Sequence, residues 1–377
     1  MRNWRVWGSL CLWLVVAGEA VAEPLHLGTT FSDRQCRYLR VNPKKTFKEI
    51  VKTPFDLIRL AAYWDELEPQ EGVYDFSSLD WQVAEAASKQ IPIVLSVGMK
   101  APRWPEYFIP SWALKRLRLR MGADVSGHAY LRERTLQFID AVVRRYRDER
   151  MIRYWQVENE PLDRVGAGYW WIGPAFVKQE VELVRRLDEQ DRPIILTTVT
   201  YPNPLLRRFM ALFMRHDTIK ESLALGDILG VNVYPVVGHR WFFKTSYYWT
   251  TPEERATYLS AILKRAERAK KPVWVTEMQA EPWEPGSLAY TGRAQPPTGD
   301  PALLQQSAQE FRALGIDTVL LWGAEYWQFR QARYHDSRWW DTVRGLLRSP
   351  HEAQRVPAEA MSGGGAELFR PLTSALH

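Results

Sequence analysis

Ile91-Pro92-Ile93-Val94-Leu95-Ser96-Val97 is an almost unbroken apolar run. It is too short for an ordinary helix, and it lacks the alternating polarity of a strand that faces water on one side. A parallel strand covered on both faces reads this way. Just before it, residues 79–89 place apolar side chains at helical spacing. Outward from this pair, a short buried strand and a longer amphipathic helix recur along the chain. Strands are expected at 25–30, 56–63, 91–97, 152–157, 193–199, 228–234, 273–277 and 318–322. Helices are expected at 47–52, 79–89, 131–147, 176–189, 204–214, 252–269 and 301–314. Eight such units without a linker or a shift in composition imply an α/β fold, a closed (β/α)8 TIM barrel over residues 23–350. An open doubly wound sheet is the alternative.

Aromatic insertions at 104–112, 169–171, 241–249 and 283–290 follow the third, fourth, sixth and seventh strands. That is the C-terminal rim, where barrel enzymes build their sites. The 18 Trp outnumber both the 7 His and the 8 Met, which suggests flat apolar ligand platforms, although core packing accounts for most of the excess. Of the 377 residues, 46% are hydrophobic and 25% charged, which excludes collagen-like, low-complexity and disordered classes.

The N-terminal residues combine Arg2 and Arg5, an apolar stretch at 6–17 and the small-residue box Ala20-Val21-Ala22. This is the pattern of a secretory signal over residues 1–22, and it predicts export to a periplasm or the medium. The apolar stretch is shorter than the roughly 20 residues of a membrane span. No stable span is expected after cleavage. Cys36 is then the sole cysteine of the mature chain, so no internal disulfide forms. Residues 351–377, with Gly363-Gly364-Gly365, are expected to form a flexible tail. The net charge of +6 is modest, and the basic runs at 115–120 and 144–150 alternate with apolar residues as on solvated helix faces. No nucleic-acid partner is expected.

Two strands end in carboxylates. Residues 152–157 run into Glu158-Asn159-Glu160-Pro161, where the proline marks the strand end and leaves Glu160 at the rim. Pro272-Val273-Trp274-Val275-Thr276 delivers Glu277 to the same rim three units later. A pair converging to roughly 5–5.5 Å attacks an anomeric carbon with one member while the other handles the leaving group's proton. Glu158, two residues before Glu160, is expected to face the same way by strand alternation and to pair with a barrel arginine.

In the order and spacing of these motifs the chain resembles the clan A retaining glycoside hydrolases, the TIM-barrel superfamily of cellulases, mannanases, xylanases and β-galactosidases. Asn159-Glu160-Pro161 matches the clan's fourth-strand signature, and Trp274-Val275-Thr276-Glu277 matches its seventh-strand nucleophile. The resemblance implies Glu160 as general acid/base, Glu277 as nucleophile and Asn159 as ligand of the sugar 2-hydroxyl. It also implies that Arg59 sits beside the nucleophile, where its charge favours the ionised form. Tyr234 would donate a hydrogen bond to the nucleophile, and Trp322 would floor the subsite for the cleaved sugar. Trp104, Trp170, Trp171, Trp283 and Trp327 are stacking candidates for the apolar face of a pyranose. Glu281, Glu284 and Glu325 lie near the rim.

Two positions depart from the clan pattern. Ser96-Val97-Gly98-Met99-Lys100 stands where some members have a histidine after strand three, and Asn232-Val233-Tyr234 stands where others have His-x-Tyr. The histidines form no His-x-His or His-Glu-x-x-His, and no phosphate loop or Gly-x-Ser-x-Gly elbow occurs, so neither metal nor organic cofactor is expected. These features together predict an exported retaining β-glycoside hydrolase acting on an oligo- or polysaccharide. The alternatives are a carbohydrate-binding barrel without catalysis and a transglycosylase using the same covalent intermediate.

Overall fold

A computed structural model of the chain describes residues 25–348 apart from positions 215, 242–243, 287, 291 and 293–295. The expected signal at 1–22 and tail at 351–377 lie outside the described residues. Eight parallel strands close into a barrel: β1 (His26–Thr30), β2 (Leu57–Ala61), β3 (Ile93–Val97), β4 (Ile152–Val157), β5 (Ile194–Val199), β6 (Ile228–Val233), β7 (Val273–Gln279) and β8 (Thr318–Trp322). Each pairs with its sequence neighbours, and closure comes from β1, where Gly28 is in register with Leu57 on one side and Leu320 on the other. The TIM barrel read from the sequence is therefore the fold.

Helices return the chain between strands. Long ones carry apolar stripes and local stop signals: Thr251 caps the helix Pro252–Ala269 through a reciprocal bond with Glu254, and Lys270 ends it in the left-handed conformation. Six helices escape the periodicity reading: Asp33–Tyr38, Trp64–Leu67, Ser111–Leu114, Thr218–Leu225, Ala324–Tyr334 and Arg338–Leu347. The first four span two turns or less, too few to show a period. The last two carry polar and aromatic residues on buried faces. The insertion at 241–249 belongs to an antiparallel hairpin of Val236–Trp241 and Lys244–Trp249. Among the described residues no helix is long and apolar enough to cross a membrane.

Side chains alternate across the barrel wall. Those facing outward pack with the helices into the main core, where Ile93, Leu95, Trp155, Leu229, Val275 and Val319 are buried. Those facing inward form two layers. The lower is apolar: Leu57, Val94, Ile195, Ile228, Trp274 and Leu320, with Tyr154 against them. Above it the inward positions turn polar, with Thr30, Arg59, Gln156, Thr197, Asn232 and Thr276 all buried. A packed floor beneath a polar layer places the site at the C-terminal end.

Gly28 makes the lower layer fit. A Cβ there would lie 2.5 Å from Leu320 Cδ2 and 2.6 Å from the Leu57 carbonyl oxygen, and that backbone oxygen cannot move aside without disturbing the β1–β2 ladder. Gly28→Ala is expected to destabilise the fold by about 1–3 kcal/mol, as overpacking does. Thermal melting measures it, and an unchanged midpoint would show that the barrel's lower layer has slack.

Candidate active site

β7 breaks its own alternation at the position that matters. Val231 of β6 pairs with Val275, but the next β6 residue, Asn232, pairs with Glu277, so Thr276 is one residue too many. A bulge of this kind shifts the phase of the side chains beyond it. Thr276 donates its hydroxyl to Asn232 Oδ1 at 2.7 Å, and Glu277 also turns inward, to Arg59. Met278 then rejoins the outer core. Glu277 lies within β7, two residues before its end, rather than after it.

Arg59 has no exposed surface, and each of its three guanidinium nitrogens donates a hydrogen bond. Nε donates to Thr30 Oγ1 at 2.9 Å, one terminal nitrogen to Gln156 Oε1 at 3.2 Å, and the other to Glu277 Oε1 at 2.9 Å. Tyr234 donates its hydroxyl to Glu277 Oε2. The carboxylate is thus held at both oxygens by donors from β2 and from the end of β6. Only 4% of Glu277 is exposed.

Glu160 is held by different partners. Its backbone N–H donates to Thr197 Oγ1 at 2.7 Å, its carbonyl accepts from Lys100 Nζ at 2.8 Å, and its Oε1 accepts from Asn232 Nδ2 at 2.6 Å. No cation reaches its carboxyl oxygens among the described residues. Burial, together with the charges of Glu106, Glu277 and Asp163, pushes this carboxyl well above the usual range, and Lys100 opposes the shift. Asn232 links the two glutamates, since it donates to Glu160 and sits in register with Glu277. The Asn-x-Tyr departure on strand six therefore serves both carboxylates: Asn232 holds one and Tyr234 the other.

The remaining site residues divide. Asn159 accepts from Gln156 Nε2 at 3.2 Å, and its side-chain nitrogen has no acceptor among the described residues. Trp322 lies beneath two guanidiniums, that of Arg103 at 4.1 Å and that of Arg59 at 5.7 Å from the ring centre. Trp283 is 41% exposed and packs edge-on against Tyr234, so it stands at the mouth. Trp104 is 75% exposed on the loop after β3. Trp170 and Trp171 are committed to protein contacts. Trp170 donates to the Arg120 carbonyl at 3.0 Å, and Trp171 stacks on His216 with Arg164 near its ring. Trp327 is fully buried, donates to the Ala280 carbonyl at 2.6 Å and belongs to the core.

Several buried polar residues carry no sequence signal of their own. Arg103 is held by Glu281 and Glu325, and Glu325 also accepts the Ser32 N–H at 2.5 Å. These two acids fix the arginine over Trp322. Glu284 accepts from Thr298 Oγ1 at 2.6 Å. Lys100 and Gln156 are fully buried. Glu158 departs from expectation. Its backbone is left-handed at φ 59°, which interrupts strand alternation, and its carboxylate turns away from Glu160 to accept the N–H groups of Met99 at 2.8 Å and Lys100 at 2.5 Å. No arginine pairs with it; its other neighbour is Glu180 on the helix Pro174–Leu187.

A model of the glycoside hydrolase family 42, described as beta-galactosidase, matches residues 40–171. The stretch includes Arg59, Asn159 and Glu160 and stops before Glu277. No curated protein matches the chain. Among solved structures, a β-galactosidase from the haloarchaeon Halorubrum lacusprofundi shares 16% identity at a TM-score of 0.51, over 79% of this chain and 52% of its own. A cold-adapted β-galactosidase from Rahnella sp. R3 shares 14% at a TM-score of 0.54, over 81% and 51%. An exo-β-1,4-mannosidase from Opitutaceae bacterium strain TAV5 shares 14% at 0.52, over 80% and 52%. The chain spans about half the length of each, and at these identities the likeness is one of fold. The matched family and these barrels are all glycoside hydrolases of clan A type, in line with the motifs on β4 and β7.

The Glu158–Glu180 pair makes stability depend on pH. Among the described residues no N–H or O–H donor reaches either oxygen of Glu180. Burial pushes Glu158 up to about 7 from its ordinary 4.5, and burial with the Glu158 charge pushes Glu180 well above its own. The folded pair therefore keeps protons that the unfolded chain releases. The pair's contribution to stability is full below about pH 4.5 and is lost as pH rises through about 7, at about 1.4 kcal/mol per pH unit for each proton retained. In Glu180→Gln the amide donates at every pH, so its melting midpoint is expected to fall less than wild type between about pH 5 and about pH 8. Parallel curves would place the proton elsewhere.

Proposed function

We propose that the chain is an exported retaining β-glycoside hydrolase that cleaves O-glycosidic bonds of an oligo- or polysaccharide, with Glu277 as nucleophile and Glu160 as general acid/base. The observation that carries this reading is the contrast between the surroundings of two carboxyls. Glu277 is fixed at both oxygens by Arg59 and Tyr234, whereas Glu160 is buried among other acids and inclined to hold a proton. Opposed environments for paired carboxyls are how acid and nucleophile are told apart.

In the first step a Glu277 oxygen bonds to the anomeric carbon as the glycosidic C–O bond breaks, and Glu160 passes its proton to the departing oxygen. In the second, Glu160 takes a proton from water, whose oxygen attacks the anomeric carbon and releases Glu277. Two inversions give net retention. Asn159, whose amide nitrogen has no acceptor among the described residues, would bind the 2-hydroxyl. Trp322 would floor the subsite for the cleaved sugar, and Trp283 is placed to receive a neighbouring sugar face. Trp104 is a second exposed surface for stacking. Trp171 would contribute only an edge, because His216 stacks on its face, and the Trp170 indole N–H is already committed to the Arg120 carbonyl. Export rests on the sequence of residues 1–22 alone. N-terminal sequencing of the protein from culture medium or periplasm tests it, and a retained Met1 would refute cleavage.

Three kinetic outcomes follow. Glu277→Ala is expected to abolish turnover of activated aryl β-glycosides, with azide restoring some activity and giving a product of inverted configuration. An unchanged rate would remove Glu277 from the nucleophile role. Glu160→Ala should lower kcat/KM for substrates with poor leaving groups by about 10²–10⁴-fold while largely sparing kcat/KM for activated ones, because only the former need the proton in the first step. In contrast, kcat falls on both, because the second step needs Glu160 as base. Equal losses of kcat/KM on both would count against the acid assignment. Because catalysis needs Glu160 protonated and its pKa is raised, kcat/KM for poor leaving groups should stay high well above the usual carboxylate range and fall at more alkaline pH. Loss of activity already near pH 4.5, the ordinary glutamate value, would contradict the assigned environment.

A further inference from the structure

The loop after β3 carries a carboxylate to which the reaction assigns no part. Lys100 and Tyr107 face each other in an isolated antiparallel bridge, and the Ala101 N–H donates to the Glu106 carbonyl at 2.9 Å. The chain turns between them through left-handed residues, Arg103 at φ 104° and Glu106 at φ 73°. The base of this small hairpin is clamped by Glu158, which takes the N–H groups of Met99 and Lys100.

Glu106 ends beside Glu160. Its Oε2 lies 3.1 Å from Lys100 Nζ, and the same ammonium donates to the Glu160 carbonyl at 2.8 Å. Gly166, on the loop after β4, leaves room for it: a Cβ there would stand 3.0 Å from Glu106 Oε2. The side chain is 14% exposed, and apart from the Lys100 pair it accepts no hydrogen bond among the described residues. Its charge acts on Glu160 and on Tyr201, and it feels that of Glu277. Through Lys100 it is tied to the Glu160 backbone, on the loop that carries the acid. A nearly buried carboxyl left with open acceptor sites is costly unless something donates to it. Sugar hydroxyls are donors of the right kind and in the right place.

We propose that Glu106 is a substrate-binding residue whose carboxyl accepts hydrogen bonds from hydroxyls of the sugar held between Glu160 and Glu277, and so selects which glycoside is cleaved. The assignment deepens the glycoside hydrolase reading and rests on it. Lys100 is the positioning residue: it holds Glu106 and the Glu160 backbone in one arrangement, so recognition of the sugar and placement of the acid share a strut. Charge alone does not define the contact. A carboxylate accepting from hydroxyls rejects an analogue that lacks them, because its own acceptor sites then stay buried and unfilled.

The test compares wild type, Glu106→Gln and Glu106→Ala in the full chain against aryl β-glycosides of several sugars and their monodeoxy analogues. The proposal expects each variant to lose roughly 10- to 100-fold in kcat/KM on the preferred sugar, the scale of a lost hydrogen bond to a charged group. It also expects one monodeoxy analogue on which wild type and Glu106→Ala are nearly equal. That double-mutant cycle identifies the hydroxyl, and a residue acting only through the fold would slow all analogues alike. Glu106→Gln is isosteric, and a melting midpoint close to wild type shows that it is folded should Glu106→Ala not be. Variants within about twofold of wild type on every substrate, with the ranking of sugars unchanged, would overturn the assignment while leaving the hydrolase intact. A wild-type chain that neither cleaves nor binds any member of the panel would overturn both readings.

Discussion

A guanidinium without solvent contact near the middle of a barrel dictates its surroundings. Arg59 brings five N–H donors and a charge into the interior, where a donor left without an acceptor is costly. Thr30, Gln156 and Glu277 supply three acceptors from β1, β4 and β7, one to each guanidinium nitrogen. Each of these is then constrained in turn. Gln156 turns its amide to Asn159 and to the Glu158 carbonyl, and Glu277 takes its second donor from Tyr234. The polar upper layer is thus a single network grown from one cation, set on an apolar layer that needs none. Replacing such a network with hydrocarbon would often stabilise a protein. Its presence points to chemistry rather than to stability.

The barrel was legible because strands covered on both faces carry continuous apolar runs, and eight of them in alternation with amphipathic stretches leave little topological freedom. Site geometry was legible only in part. Strict alternation from Trp274 and Thr276, both inward, would send Glu277 outward with Val275; the bulge at Thr276 reverses this. The motif resemblance pointed to Glu277 where periodicity would have discarded it. At Glu158 the error ran the other way, since alternation predicted a side chain in the cavity and a left-handed backbone sends it behind the wall. Neither a bulge nor a left-handed glutamate leaves a mark in the residue types around it. Trp170, Trp171 and Trp327 show a related limit, because an indole in a rim loop reads the same whether it meets sugar, histidine or core.

Strained backbone gathers around this site. Arg103, Glu106, Glu158 and Glu160 all have positive φ, a conformation that costs non-glycine residues about 1–3 kcal/mol when the surroundings impose it. All four lie in the paired loops after β3 and β4, and all four have ionisable side chains. Turning the chain sharply at these points lets two adjacent loops send acidic groups in opposite directions from almost the same place. Glu160 and Glu106 go into the mouth, and Glu158 goes back toward the helix Pro174–Leu187. An extended backbone would have alternated them evenly and kept Glu158 and Glu160 on one side, where like charges so close would oppose ionisation of both.

The same geometry makes the position of Glu160 depend on a residue behind the barrel wall. Glu158 holds the N–H groups of Met99 and Lys100; Lys100, so placed, holds the Glu160 carbonyl and the Glu106 carboxyl. Gly98 permits it, because a Cβ there would stand 2.2 Å from Glu158 Oε1 and the backbone is at φ 135°. The chain of contacts runs from a buried carboxyl pair behind the wall, through two backbone amides, to an ammonium in the site. Each link is a hydrogen bond or ion pair between buried groups, where misplacement costs more than in water. The β3 hairpin is therefore held from behind by Glu158 and on the cavity side by the pairs of Arg103 with Glu281 and Glu325. A site built on strand ends and braced in this way keeps its geometry before any ligand arrives, as catalysis by positioned charge requires.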